Sequence, residues 1–171
     1  MRRTDPHGAT TIVVEVHRSG LIYLWLTGLV IAVDQLSKAA IEHSLGLYQS
    51  ILVLPVLEIT RLHNTGAAFS FLAGADGWQR WLFTALAIIV SAALVVWLRR
   101  IDRDARLLAS AVALILGGAL GNVIDRLRLG HVIDFIHVHW SEHYFPAFNA
   151  ADSAITIGAA LLLLDAWLEA R

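Results

Sequence analysis

Five aspartates lie in or beside apolar stretches of this 171-residue chain: Asp34, Asp125, Asp134, Asp152 and Asp165. A carboxylate at the centre of a membrane-spanning helix costs about 2.5–3.5 kcal/mol on insertion scales, so such residues mark functional sites by default. Asp134 and Asp152 offer the most chemistry. Asp134 sits in Gly130-His131-Val132-Ile133-Asp134-Phe135-Ile136, apolar on both sides except for His131. Asp152 sits in Phe148-Asn149-Ala150-Ala151-Asp152-Ser153, at the entry to an apolar run. Two carboxylates brought close together cannot both ionise easily, so one keeps a proton near neutral pH. The charged member then takes a proton from water while the neutral one polarises a carbonyl or protonates a leaving amine. That is aspartic-protease chemistry, and it needs neither metal nor covalent nucleophile. Taken singly, Asp152 also reads as a helix N-cap, a role Asn149 fills equally well.

The other polar residues are more ambiguous. Asp34 and Lys38 are spaced i, i+4 and pair on one helix face. They read either as a self-neutralised pair with Lys38 reaching outward, or as the outer rim of a site. Asn122, Asp125 and Arg126 fall within about one turn, as residues of a site or as an ordinary polar helix end. Gly117 and Gly121 make a small-xxx-small pattern that lets another helix approach closely, and packing is the whole account of them. Asp165 lies near the end of the chain's last apolar run, where solvation explains it. The chain has no cysteine, which excludes a thiol nucleophile, a disulfide and a thiolate metal site. No G-x-S-x-G motif is present for a serine nucleophile. Two rivals remain. His137, His139 and His143, with Asp134 nearby, are potential zinc ligands, although H-x-H-x3-H is not a recognised zinc framework. A transporter or assembly protein with proton-relaying aspartates is the other, and clustering of the charges at one face rather than the midplane counts against it.

These residues need elements to position them, and composition names the class. The chain is 57% hydrophobic and 16% charged, against roughly 45–50% apolar and about 25% charged in soluble domains. A soluble core of this size cannot bury that excess, so a lipid-facing surface is required. The net charge of −1 gives no polyanion-binding signal, and nucleic acid is set aside. Four segments suit membrane crossing: Leu21–Ile41, Trp81–Leu98, Leu107–Ile124 and Ala151–Leu168. Arg99, Arg100, Arg103 and Arg106 crowd the short link between spans two and three, with Arg2, Arg3 and Arg18 ahead of span one and Arg171 at the chain's end. Basic loops stay cytoplasmic, so both termini and that link are expected inside, with 42–79 and 125–150 facing outward. Within 46–66, Ile51 to Leu54 and the alternating Leu57 to Leu62 read as short strands on the membrane surface, ended by the Asn64-Thr65-Gly66 turn. Residues 67–72 read as a short interfacial helix, and Trp78 and Trp81 suit the headgroup level. Residues 1–20 are expected to be a mobile cytoplasmic tail and 21–171 a single domain. The fold class is thus an all-α membrane protein of four transmembrane helices, with a small extracytoplasmic β element and a short interfacial helix.

Four runs carry a resemblance. Asp34-Gln35-Leu36-Ser37-Lys38, Asn64-Thr65-Gly66-Ala67-Ala68-Phe69-Ser70, Gly121-Asn122-Val123-Ile124-Asp125-Arg126 with Gly130-His131-Val132-Ile133-Asp134-Phe135, and Phe148-Asn149-Ala150-Ala151-Asp152 occur in that order. The chain resembles the lipoprotein signal peptidase (signal peptidase II) family over about residues 21 to 168. The resemblance implies that Asp134 and Asp152 are the catalytic aspartates. It also implies that Asp34, Lys38, Asn64, Gly66, Asn122, Asp125, Arg126 and Asn149 bind substrate or support the dyad. No cofactor or metal is expected. The implied substrate is a prolipoprotein whose cysteine already carries diacylglycerol, cut just before that cysteine. The implied setting is the bacterial inner membrane with the active site facing the periplasm, contact with membrane lipid, sensitivity to a globomycin-type inhibitor, and a monomeric state.

Overall fold

The computed structural model describes residues 2–4, 10–12, 18–66 and 77–171, the first two stretches by backbone alone. Strands β1 (Arg2–Thr4) and β2 (Thr10–Ile12) pair antiparallel. Residues 5–9 and 13–17 of the expected N-terminal tail, and the interfacial helix expected at 67–72, lie outside the described residues, whereas residues 18–20 of that tail are fastened to the α2–α3 link. A 3₁₀ turn (Gly20–Tyr23) leads into α1 (Leu24–Ser44), and α2 (Trp78–Arg100), α3 (Arg106–Arg128) and α4 (Ala150–Glu169) follow. All four are long and apolar enough to cross a membrane. They run past the charge-free segments in the sequence, since polar ends such as Asp125-Arg126-Leu127-Arg128 continue helical hydrogen bonding beyond the apolar core.

Helix α3 is the axis of the bundle. Half of its apolar window is buried, against about a fifth in each of the other three. Its small residues Ala109, Ala111, Ala113, Gly117, Gly118 and Gly121 are all buried. A Cβ at Gly117 would sit 2.7 Å from Val30 Cβ on α1, and one at Gly118 would strike the Ala151 carbonyl on α4. On α4, a Cβ at Gly158 would sit 2.7 Å from the Ala111 carbonyl of α3. Absence of side chains therefore sets the spacing on two sides of α3, as close helix approach in an apolar medium demands. At the arginine-rich end, Leu94 and Leu98 of α2 pack on Val112 and Leu116 of α3. There Gly20 N donates to the Ile101 carbonyl (2.8 Å) and Ser19 Oγ to that of Arg99 (3.1 Å), fastening the start of α1 to the α2–α3 link.

At the other end an antiparallel sheet runs β3 (Ser50–Leu54), β4 (Leu57–Asn64), β5 (Val132–Trp140), β6 (His143–Tyr144) in that spatial order. The first two strands fall where sequence alternation put them. Strands β5 and β6 were not anticipated, because Val132 to Trp140 mixes apolar residues with Asp134 and two histidines and reads as loop. In the sheet, Leu62 faces Asp134, His63 faces Ile133 and Asn64 faces Val132. Strand β4 is thus paired along both edges from Leu57 to Ile59. Ile51, Leu52, Val53 and Leu54 of β3 are exposed and apolar, consistent with a sheet lying on lipid.

Gly118→Ala forces a methyl onto the Ala151 carbonyl, and overpacking of this kind costs typically about 1–3 kcal/mol. We expect a lower melting temperature for the detergent-solubilised protein. Gly28→Ala, where nothing lies within 4 Å of the added methyl, should raise it or leave it unchanged.

Candidate active site

Beneath the sheet, the C-terminal ends of α1 and α3 meet the start of α4, and the polar residues singled out from sequence converge there. Lys38 is at the bottom. It is 2% exposed and its Nζ lies 2.8 Å from both Asp34 Oδ2 and Asp125 Oδ2, with Asn122 Oδ1 at 3.1 Å. The Asp34–Lys38 pair is therefore neither an outer rim nor a surface pair with Lys38 reaching outward. It is sealed under the site, because the second carboxylate on α3 supplies what a lone i, i+4 partner cannot. Asp34 Oδ1 accepts from Ala151 N on α4 (2.9 Å), and Asp125 Oδ2 accepts from Ile133 N on β5 (3.3 Å). Gly121 makes this possible: a Cβ there would sit 2.7 Å from Asp34 Oδ2. Packing alone was not the whole account of that glycine. Gln35, given no role from sequence, bridges the same layer by donating to Asp125 Oδ1 (2.8 Å) and Asp34 Oδ2 (3.2 Å). Its position next to Asp34 in the Asp34–Lys38 run was the available signal.

Above this layer, Asn149 joins the two aspartates. It is the N-cap of α4, its Oδ1 accepting from Asp152 N (2.9 Å), while Asp152 Oδ2 accepts in return from Asn149 N (3.3 Å). Asp152 is thus the third helical residue of a capping box and not the cap itself. The Asn149 Nδ2 donates to Asp134 Oδ1 (2.7 Å). Asp134 Oδ2 accepts from Asn64 Nδ2 (2.9 Å), and Asp152 Oδ1 from Asn122 Nδ2 (2.8 Å). Each carboxyl oxygen of the pair is held by an uncharged donor. Arg126, 9% exposed, donates from Nη2 to the Gly66 carbonyl (2.9 Å), and Gly66 N donates to Asn64 Oδ1 (2.9 Å). All ten residues named from sequence stand in one connected network. Asp165 lies thirteen positions further along α4, about 20 Å away at helical rise, and takes no part.

Asp134 and Asp152 open onto one cavity of about 840 Å³. Its polar floor also includes Asn122 and Arg126, and its walls continue along Leu86 and Val90 of α2 and Ile155 of α4. Burial pushes the Asp134 carboxyl up to about 7, and the nearby Asp152 charge adds to the shift, while the amides of Asn64 and Asn149 and the Lys38 charge oppose it. The histidines of the metal alternative lie elsewhere. His137 and His139 flank Glu58 at 4.0 and 3.8 Å and pack against the Tyr144 ring. Among the described residues no group of three or more His, Asp and Glu is arranged to hold a metal ion.

Comparison with known proteins converges on one family. A family model described as Signal peptidase (SPase) II matches residues 26–168. A lipoprotein signal peptidase of Pseudomonas syringae pv. tomato is 63% identical over 147 residues, 85% of each chain. One from Pseudomonas aeruginosa (strain UCBPP-PA14) is 60% identical over 154 residues, 88% of this chain and 91% of that one. Two solved structures, each described as a bacterial membrane enzyme obtained by the in meso method, superpose at 33% identity. Their TM-scores are 0.78, over 91% of this chain and 93% of that one, and 0.74, over 88% and 96%.

Because Asp134 is raised by burial and by its neighbour, its carbon-13 carboxyl signal should titrate near pH 7 in the intact protein. Asp152→Asn removes the smaller of the two causes, so the midpoint should fall part of the way towards 3.8. A midpoint below 5 in the unsubstituted protein contradicts the geometry.

Proposed function

The chain belongs to the signal peptidase II family and is a membrane peptidase of lipoprotein precursors; from that premise we propose that it is an aspartic endopeptidase using Asp134 and Asp152. The observation that carries this is the tie through Asn149, which fixes both carboxyls in one cavity with a partly apolar wall. The pair holds one proton near neutral pH, and burial biases that proton towards Asp134, 3% exposed, leaving the less buried Asp152 ionised. Water between them loses a proton to the ionised carboxylate as its oxygen attacks the scissile carbonyl carbon, and the neutral acid protonates the carbonyl oxygen. The resulting gem-diol collapses as the amide nitrogen takes up the proton the dyad gained from water, and the C–N bond breaks. One gem-diol hydroxyl returns its proton to the carboxylate that had given one up, so the pair ends with one proton as it began. One water is consumed, and a carboxylic acid and an amine are released. The chemistry uses no cofactor.

The preferred substrate is a precursor whose cysteine bears diacylglycerol, cut on the amino side of that cysteine. The apolar wall along Leu86, Val90 and Ile155 suits acyl chains, while the polar floor receives the peptide at the depth where a lipidated cysteine is held. Over Leu57 to Ile59, β3 and β5 occupy both edges of β4 and leave none for substrate, but β3 does not extend along Leu62 to Asn64. Asn64, Asn122 and Arg126 are polar side chains of the cavity that would receive the peptide. Basic residues at the opposite end of the bundle favour an arrangement with both termini cytoplasmic and the dyad facing the periplasm of the inner membrane. A cyclic lipopeptide inhibitor of the globomycin type fits the same groove, and the site is complete in a single chain.

With a diacylglyceryl-modified precursor peptide in lipid nanodiscs, Asp134→Asn or Asp152→Asn should lower turnover by at least about 1000-fold, in line with loss of a positioned acid or base. Circular dichroism should show the helices retained, and mass spectrometry of the wild-type product should place the lipidated cysteine at its new N-terminus. Normal turnover in either variant overturns the mechanism.

A further inference from the structure

His63 and His131 belong to no part of the mechanism above, yet they sit beside it. Their rings stack with centroids 3.6 Å apart and planes 22° from parallel. Nε2 of each is buried with no hydrogen-bond partner. His63 is the residue before Asn64, whose amide holds Asp134, and His131 is the residue before Val132, where β5 begins. Cross-strand pairing ends at Asn64↔Val132, so the imidazole stack stands next to the last rung of the ladder. Beyond it the chain turns away through Gly66 on one side and through Gly130, with φ +85°, on the other.

We propose that His63 and His131 are a positioning pair for Asp134: their stack closes the open end of the β4–β5 ladder, and it holds only while the two rings do not both carry a proton. This rests on the reading of Asp134 as a catalytic residue. Side chains alternate along β4 and β5, so Leu62, Asn64, Val132 and Asp134 share one face, and His63 also reaches the cavity they line. The histidine pair lies among charges from three segments: Glu42 at the end of α1, Arg61 on His63's own strand β4 and Asp125 on α3. Arg80 of α2 approaches Gly130 beside it. Arg61 is already committed to Glu42 Oε1 (3.2 Å) and to the Leu45 carbonyl (3.1 Å), and Asp125 to Lys38, Gln35 and Ile133. A first proton on His131 therefore finds a neighbouring carboxylate, but a second on His63 meets a charged ring in contact and the Arg61 guanidinium.

Burial lowers both imidazoles below their usual range, and for His63 the facing His131 and Arg61 lower it further. A group whose bound-state proton affinity is lowered stabilises the closed form above its free value, about 6.5 for histidine. That contribution is lost as pH falls below it. Acid should then part the stack, release the Asn64 end of β4 and leave Asp134 without one of its two amide donors.

The test uses full-length protein in nanodiscs, with cleavage of the lipidated precursor followed from pH 4.5 to 8.5 and each profile normalised to its own maximum. The unsubstituted protein should lose turnover below about pH 6 through kcat rather than KM. His131→Phe keeps a flat ring in the stack but no second charge, so its acid limb should move down by about one pH unit. An unmoved limb overturns the proposal. Should that variant not fold, nuclear magnetic resonance of the unsubstituted protein decides. The histidine ring nitrogens and the Asp134 carboxyl carbon should change in a common acid step, and ring protonation with no response at Asp134 overturns the pairing. This readout does not require cleavage, so failure of the aspartate mechanism in the Asn variants would be recognised separately.

Discussion

One buried ammonium organises the sheet-bearing half of this molecule. Lys38 lies within 2.8 Å of two carboxylates that are themselves inaccessible to water. A charge in such a place is tolerable only when paired and hydrogen-bonded, and removing one partner of a buried pair costs about 3–5 kcal/mol. The pairing is therefore a constraint on geometry. Asp34 carries it from α1 to the first turn of α4 through Ala151 N, and Asp125 carries it from α3 to the first residues of β5 through Ile133 N. Those two destinations are the segments that bear Asp152 and Asp134. Displacing Lys38 would unpair two carboxylates at once and free both supports of the dyad.

The choice of neighbours around the dyad follows the same logic in reverse. Asn64, Asn122 and Asn149 hold its oxygens with amide donors, whereas Lys38 stays one layer below and Arg126 donates to the carbonyls of Gly66 and Asn122. A cation in direct contact would favour the doubly ionised pair and remove the proton that the proposed acid catalysis requires. Uncharged donors fix orientation without doing so. Among the described residues, the network holds Asp34, Asp125, Asp134 and Asp152 against Lys38 and Arg126. In the proposed mechanism, retention of a proton on the pair reduces that excess of negative charge.

How far the sequence discloses this arrangement depends on the kind of signal each part leaves. The four spans were legible because lipid demands long apolar runs, and strands β3 and β4 because Leu57 to Leu62 alternates. The ten site residues were legible as polar exceptions within or beside those elements, reinforced by their order along the chain. Strand β5 was hidden, since a strand buried on one side against Asp125 and Asn149 and on the other by a polar cavity shows no clean period. The depth of Lys38 was hidden as well. Its i, i+4 spacing to Asp34 is the same in a surface pair and a buried one, and only the tertiary approach of Asp125 separates them. Gln35 showed only its place beside Asp34, and the two histidines showed no pairing, because their meaning comes from partners 90 and 68 positions away.

The placement of the site at one end of the bundle has a further electrostatic reason. Helices α1 and α3 finish there and α4 begins there, so their exposed carbonyls and amides present opposite partial charges. Arg126 and Arg128 lie in the last turn of α3, and Asp152 lies in the first turn of α4, each at the favoured terminus. Asp34 and Asp125 sit towards the unfavoured carbonyl ends of α1 and α3, but each directs an oxygen away from its own helix, to Ala151 N and Ile133 N respectively. The N-terminus of α4 thus receives two carboxylates, Asp34 and Asp152, and no cation. A helix start supplies positive potential without a titratable proton. In the proposed mechanism the two chemically identical side chains are made unequal by their surroundings, Asp134 on a buried strand and Asp152 in the first turn of a helix, and that inequality lets one act as base while the other acts as acid.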